Sequence, residues 1–291
     1  MLRTLVIGAS GQIGRALIPR LLDSGHQVFA LSRFARVSTR NNLTWLRGDI
    51  FTAMPSLPAL DVIFSLGPLN GFAEWLATAS LDRQPRVVAF GSMSAESKRE
   101  SEDPAERALA QTLRHAERTL VEAAQSMDIN WTLLRPTLIY GGGQDRSLTR
   151  LAQFGARWRV FPRVPAAKGL RQPVHVDDLA SACVAAITRV AASRRKFDLG
   201  GGERLSVCDM LDRVRHSLPG PILPVPVPLF AARGVLGLTH LNPRWRHIGV
   251  GAVHRLRNDL LADDEDAKRL LDWAPRSFCP LASTWNLPAK L

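Results

Sequence analysis

The first residues able to do chemistry are glycines. Leu5-Val6-Ile7 runs directly into Gly8-Ala9-Ser10-Gly11-Gln12-Ile13-Gly14, so three glycines spaced three apart join a strand-like apolar run to a helix-like one. Glycine at that spacing lets the backbone turn tightly and approach a ligand, and the N–H groups that open the next helix then face that ligand. The group such a turn suits is the diphosphate of a dinucleotide, held by Gly8, Ser10, Gly11, Gln12, Ile13 and Gly14. A tight turn that binds nothing is the competing reading; its place at the head of a strand–helix–strand pattern favours the ligand.

Nineteen residues after Gly14, where an NAD site would carry an acid for the ribose hydroxyls, stands Arg33, followed by Arg36 and Arg40. A guanidinium there suits a 2′-phosphate, which favours NADP over NAD. Asp49, in Gly48-Asp49-Ile50, either accepts a hydrogen bond from an adenine amino group or caps its own turn.

The elements that position these residues follow from periodicity. Short apolar runs at 3–7, 27–31, 43–46, 62–66, 86–90, 131–134 and 196–199 read as strands, and helix-period segments lie near 12–24, 71–80, 103–127 and 178–189. That alternation predicts an α/β fold with a parallel sheet wrapped by helices. The helix from Asp103 has the clearest start: Asp103 as cap, Pro104 in the first turn and Glu106 to complete a capping box, with Leu109, Leu113, Ala116 and Leu120 as its buried stripe. Pro19 is expected to kink the first helix. Residues 1–170, with 174–202 returning to them, form the expected dinucleotide domain, and 203–291 mainly a smaller substrate lobe.

Bulk composition excludes several classes. With 291 residues, 46% hydrophobic and 22% charged, the chain is neither disordered nor fibrous. Its net charge of +12 points to an anionic small molecule, an acidic membrane surface or nucleic acid, although only five of the 38 basic residues are lysine, and an arginine bias in codon usage competes as an explanation. No nucleic-acid-binding module accompanies the charge. Cys183, Cys208 and Cys279 are odd in number and lack metal-ligand spacing, which fits a reducing, cytoplasmic setting without disulfides or zinc. His240, His247 and His254 recur every seven residues, roughly 10 Å apart along a helix, too far to share a metal ion. No secretory signal is expected, and the prolines between 217 and 243 argue against a spanning helix. The basic apolar stretch 221–257 leaves a peripheral membrane contact open.

Taken in order, Gly8-Gly11-Gly14, Gly48-Asp49, Phe90-Gly91-Ser92-Met93-Ser94, Arg135-Pro136-Thr137-Leu138-Ile139-Tyr140-Gly141, Pro173-Val174-His175-Val176-Asp177-Asp178-Leu179 and Asp272-Trp273-Ala274-Pro275 resemble the extended short-chain dehydrogenase/reductase family, the NAD(P)-dependent epimerase/dehydratase group. The resemblance implies a Rossmann-type doubly wound sheet with a C-terminal substrate lobe. It also implies that Ile50, Leu66, Gly67, Pro68, Ser92 and Pro136 join the cofactor site, with Ser92 at the reacting oxygen, and that Ser94, Tyr140 and Arg171 face the substrate.

The family's catalytic pair, a tyrosine followed four residues later by a lysine, is missing. Counting from Glu117 places the pair at Leu109 and Leu113, or one residue on at Ala110 and Arg114, and the single tyrosine, Tyr140, belongs to another motif. Without that acid, general acid–base catalysis would lose roughly two to four orders of magnitude. Ser92, Ser94, Glu96, Lys98 and His115 are the candidate substitutes. Two readings result: an NADP-dependent oxidoreductase or epimerase-like enzyme with an atypical active site, or a catalytically silent dinucleotide-binding module that senses or scaffolds.

Overall fold

The computed structural model describes residues 1–227 and 256–287. Seven strands form one parallel sheet in the order β3-β2-β1-β4-β5-β6-β11: β1 (Arg3–Ile7), β2 (Gln27–Ser32), β3 (Leu43–Arg47), β4 (Val62–Ser65), β5 (Arg86–Phe90), β6 (Trp131–Pro136) and β11 (Arg195–Leu199). The order reverses between β1 and β4, and ligands of doubly wound sheets bind outside the carboxyl ends of the strands at such a reversal.

Both faces of the sheet are covered, which is why its strands read as continuous apolar runs. Val6, Val28, Phe64 and Val88 point to one face, beneath α1 (Gln12–Asp23) and α6 (Val176–Thr188). Leu5, Ile63, Val87 and Leu133 point to the other, beneath α2 (Leu69–Thr78) and α4 (Pro104–Ser126). Each fully buried side chain of this size contributes about 1.5–3 kcal/mol. Cys183 is buried among them, and burial pushes its thiol up, away from reactivity.

A third cluster is the core of the smaller lobe. It joins Tyr140 of β7 (Ile139–Tyr140), Leu148 and Ala152 of α5 (Leu148–Trp158) and Phe161 of β8 (Val160–Arg163) to Met210 of α7 (Val207–His216), Phe278 and Trp285. The lobe expected from residue 203 onward therefore also draws on residues 140–164. Short strand pairs complete it: β7 with β10 (Val174–His175), β9 (Leu170–Arg171) with β12 (Leu205–Ser206), and β8 with β13 (Leu223–Pro226).

A buried amide ties the late chain to the core. Gln172 donates from Nε2 to Gly201 O at 3.0 Å and Asp264 Oδ2 at 3.0 Å, and its Oε1 accepts from Ala262 N at 3.1 Å. Asp264 also meets Lys268 of α8 (Glu265–Leu271) at 2.7 Å.

α1 runs from Gln12 to Asp23 with Pro19 inside it. Two expectations about α4 are corrected. Asp103 does cap α4, accepting from Ala105 N at 2.9 Å, but Glu106 does not complete a capping box: its carboxylate takes the Ser101 hydroxyl at 2.8 Å and pairs with Lys98 at 3.4 Å. The buried face of α4 runs through Ala110, Ala116, Glu117, Leu120 and Ala124, and Leu109 is 43% exposed. Of the expected stripe, Ala116 and Leu120 are buried and Leu113 is half-buried, and only at the first position does the neighbouring Ala110 take the buried place of Leu109.

Among the described residues no helix is long and apolar enough to cross a membrane. His240, His247, His254 and residues 228–255 of the 221–257 stretch lie outside the described residues.

Candidate functional site

The turn after β1 is shaped by what its glycines lack. Gly8 holds φ +78°, and a Cβ there would stand 2.9 Å from the Leu66 carbonyl carbon; one on Gly14 would stand 2.5 Å from Ala9 O. Gly11 N donates to Gly8 O at 2.9 Å, closing the turn, and Gly11 caps α1 without any side-chain acceptor. The amides that open α1 are thus left for a ligand, at the helix end that favours negative charge. Next to them Gln12 Oε1 and, at the end of β4, Ser65 Oγ are buried with no partner. Tight glycines and uncapped amides fit the diphosphate of a dinucleotide, and the unpartnered Ser65 hydroxyl can donate to a ligand.

At the end of β2, Ser32 is buried and its Oγ accepts from Phe34 N at 3.2 Å, while Arg33 is exposed. Arg36 stacks on Trp45 at 5.2 Å and Arg40 meets Asp23 at 3.6 Å. Asp49 caps its own turn, with Oδ1 accepting from Phe51 N at 3.0 Å, and Ile50 is half-buried beside it. Leu66 and Gly67 lie against the β1 turn, and Pro68 caps α2.

At the carboxyl ends of β5 and β6 opens a cleft of about 670 Å³. Gln12, Ser92, Ser94 and Pro136 line it, joined by Ser97 and Lys98 from the short helix α3 (Ser94–Ser97) and its end. Ser92 Oγ accepts from Ser94 N at 3.1 Å. Across the cleft stand Gln144, Asp145, Arg146 and Arg171, with Leu256 and Leu260. Arg171 is buried and donates from one Nη to the carbonyls of Leu170 and Asn258, both at 2.8 Å. Burial lowers its pKa to about 10, with Asp259 opposing the shift, so it stays charged at neutral pH.

Behind the β5 turn lies an ionic network. Arg135 makes a two-pronged bond to Glu117, with Nε to Oε1 at 2.8 Å, and reaches Glu96 at 3.4 Å and Asp198 at 3.7 Å; Lys196 adds to Glu117 at 3.3 Å. Burial alone would lower the Arg135 pKa, but Glu117 holds it above the usual value. Burial raises that of Asp198, against the opposing pull of Arg135. Gly91 makes room for the network: a Cβ there would lie 3.1 Å from Glu117 Oε1.

The structure separates the candidate substitutes for the missing pair. Ser92, Ser94 and Lys98 line the cleft, Glu96 is turned to Arg135, and His115 is exposed on α4. Tyr140, expected to contact substrate, is corrected to a core residue. It is 1% exposed, edge-on to His175 at 5.0 Å and to Phe278 at 4.8 Å, and burial first, then Asp178, raises its pKa to about 12.

Sequence reasoning missed the 141–147 loop that forms the far wall. Its signal was the run Gly141-Gly142-Gly143. A Cβ on Gly142 would collide with Gln12 and one on Gly141 with the His175 ring, so the loop lies directly on the β1 turn and the lobe core.

A family model described as NAD(P)H-binding matches residues 8–189. The UDP-glucose 4-epimerase of Vibrio cholerae is 23% identical over 163 residues, 55% of this chain and 46% of that protein. An uncharacterised protein of Mycobacterium bovis is 25% identical over 84% of this chain and 28% of its own length. The chain thus spans about half the length of the first relative and about a quarter of the second. Among solved structures, UDP-glucuronic acid 4-epimerase from Bacillus cereus in complex with NAD aligns with TM-score 0.71 and 17% identity, covering 98% of this chain and 96% of that one. An epimerase from Methanothermobacter thermautotrophicus aligns with TM-score 0.70 and 17% identity, covering 98% and 90%. At that identity the likeness is one of fold.

Proposed function

Because this chain belongs to the NAD(P)H-binding family, we propose that it is an oxidoreductase or epimerase-like enzyme that binds NADP and acts on a small anionic substrate bearing a carbonyl or a sugar carbon. One observation carries the reading: the uncapped glycine turn at the head of α1 is followed by Gln12, which lines a 670 Å³ cleft with Lys98, Arg146 and Arg171 on its walls. The only carboxylate lining that cleft among the described residues, Asp145, is occupied by Ser147 and Thr149. The surplus of positive charge favours an anion.

In this reading the backbone of residues 8–14 holds the diphosphate, Arg33 meets a 2′-phosphate, and Leu66, Gly67 and Pro136 border the nicotinamide side. A bound nicotinamide supplies or takes a hydride. Ser92, whose Oγ already accepts from Ser94 N, keeps its own hydrogen to donate to a substrate oxygen. Arg171, held by two carbonyls, brings its positive charge to that wall of the cleft, toward the anionic end. The curated and structural relatives named for UDP-sugar epimerases make a nucleotide sugar the first substrate class to try.

Calorimetry with NADPH and NADH tests the reading, followed by NADPH oxidation against a panel of nucleotide sugars, ketones and quinones. Micromolar binding with turnover supports it; no affinity for either dinucleotide in folded protein removes it. A second reading, binding without catalysis, is favoured by α4, where Ala110 is buried, Leu109 is exposed and neither register carries a phenol. Binding without hydride exchange at the nicotinamide, together with a stable protein partner in pull-down, is its expected outcome.

A further inference from the structure

A carbonyl that gains a hydride must also gain a proton at oxygen, and no tyrosine lines this cleft to give it. Among the described residues that do line it, the charged side chains are Lys98, Asp145, Arg146 and Arg171. Arginine keeps its proton at physiological pH. Asp145 is taken up at the start of α5, accepting from Ser147 N at 3.1 Å, Ser147 Oγ at 3.0 Å, Thr149 N at 3.0 Å and the Thr149 hydroxyl. The hydroxyls of Ser92, Ser94 and Ser97 are weak acids that need a partner base to move a proton near neutrality. The remaining group is the ammonium of Lys98.

Its placement suits the task. Lys98 ends the short helix α3, its N–H donating to Ser94 O at 3.3 Å, so its position is tied to the same turn that carries Ser92. Its side chain is 20% exposed, and Nζ lies 3.4 Å from Glu106 Oε1, while Ser101 Oγ donates to the other oxygen of Glu106 at 2.8 Å. The ionisable side chains on either side of Ser97 differ in place: Glu96 pairs with Arg135 and is not among the residues that line the cleft, whereas Lys98 lines it.

We propose, resting on the nicotinamide-dependent reading above, that Lys98 is the proton donor and acceptor of this cleft in place of the missing phenol. During reduction the carbonyl carbon gains a hydride from a reduced nicotinamide and the C–O π pair passes to oxygen. An O–H bond forms there as an N–H bond of the Lys98 ammonium breaks, and the amine left on Lys98 takes a proton back from water. Oxidation reverses each step. Ser92 donates to the same oxygen and orients it.

The test uses the full chain, wild type and Lys98→Met, with two readouts. The first is independent of turnover: labelling with pyridoxal 5′-phosphate, an anionic aldehyde, and borohydride, mapped by mass spectrometry over the five lysines with and without NADPH. Lys98 is expected to be labelled and protected by NADPH, while the exposed Lys168 and Lys268 are labelled alike in both conditions. The second is turnover: Lys98→Met is expected to bind NADPH as wild type does, to lose about 100-fold in rate, and to regain part of it with added ethylamine. Labelling of Lys98 indifferent to NADPH, or Lys98→Met turning over at the wild-type rate, overturns the role of Lys98 while leaving dinucleotide binding intact. Failure of the wild type to bind either dinucleotide instead removes the functional reading itself.

Discussion

The turn after β1 and the turn after β5 enter the same cleft, yet the first is made of backbone and the second of side chains. After β1, Gly8, Gly11 and Gly14 withdraw their side chains so that amides face the ligand. After β5, a single glycine, Gly91, admits the Glu117–Arg135 pair behind the turn, and beyond it Glu96 pairs with Arg135 while Lys98 pairs with Glu106 and lines the cleft. A backbone site tolerates change around it as long as its glycines stay. A side-chain site can change its residues while its supporting scaffold persists.

Four measurements probe that contrast. The largest effect is expected from Arg135→Met, which leaves the carboxylate of Glu117, itself 2% exposed, without its main partner. Removing one member of a buried pair costs about 3–5 kcal/mol, to be read from the denaturation midpoint. NADPH affinity of the still-folded variant should change far less; an equal loss of affinity would mean that the two turns are not separable.

Gly14→Ala should come next, because its methyl group would stand 2.5 Å from Ala9 O. Overpacking of this kind costs about 1–3 kcal/mol of stability, and calorimetry should show NADPH affinity weakened by roughly tenfold or more, tenfold being about 1.4 kcal/mol. Wild-type affinity would refute the backbone cradle. A smaller change is expected from Arg33→Ser: about 1.5 kcal/mol, the low end for a hydrogen bond to a charged group, lost from NADPH binding while NADH binding is unaltered. Equal loss for both would place Arg33 outside the 2′-phosphate site.

The smallest effect is pH-dependent. His26, with its Nδ1 2.8 Å from Thr4 Oγ1 beneath β1, has its pKa lowered by burial and by the N-terminal charge. Burial, then Arg276, lowers that of His175 in the lobe, against Asp177. A group depressed on folding binds protons more readily when unfolded, so its stability contribution is full above the unfolded value of 6.5 and is lost as pH falls from there through the folded pKa. Melting temperature should therefore drop between pH 7.5 and 5, and the drop should shrink in His26→Gln. A flat profile would show that neither histidine is coupled to folding.

Much of the frame is legible in the sequence because it depends on residue type alone. The apolar runs give all seven strands of the main sheet, and Gly8, Gly11 and Gly14 declare themselves by what no other residue could do. The cleft is less legible because its chemistry depends on direction. Glu106 has the right spacing for a capping box, but Lys98 and Ser101 offer it stronger partners that only the fold of α3 brings near. Tyr140 sits in a motif, yet Phe278, far along the chain, closes over it. The 141–147 wall and α5 were overlooked because their packing partners, such as Trp285, lie more than a hundred residues away.

The amide of Gln172 has one further consequence. It joins Gly201, Ala262 and Asp264 through a neutral group shielded from solvent, whereas the anion proposed for the cleft would be drawn by Arg146, which ions in solution can reach. Rising ionic strength will therefore weaken capture of an anion without loosening that clasp.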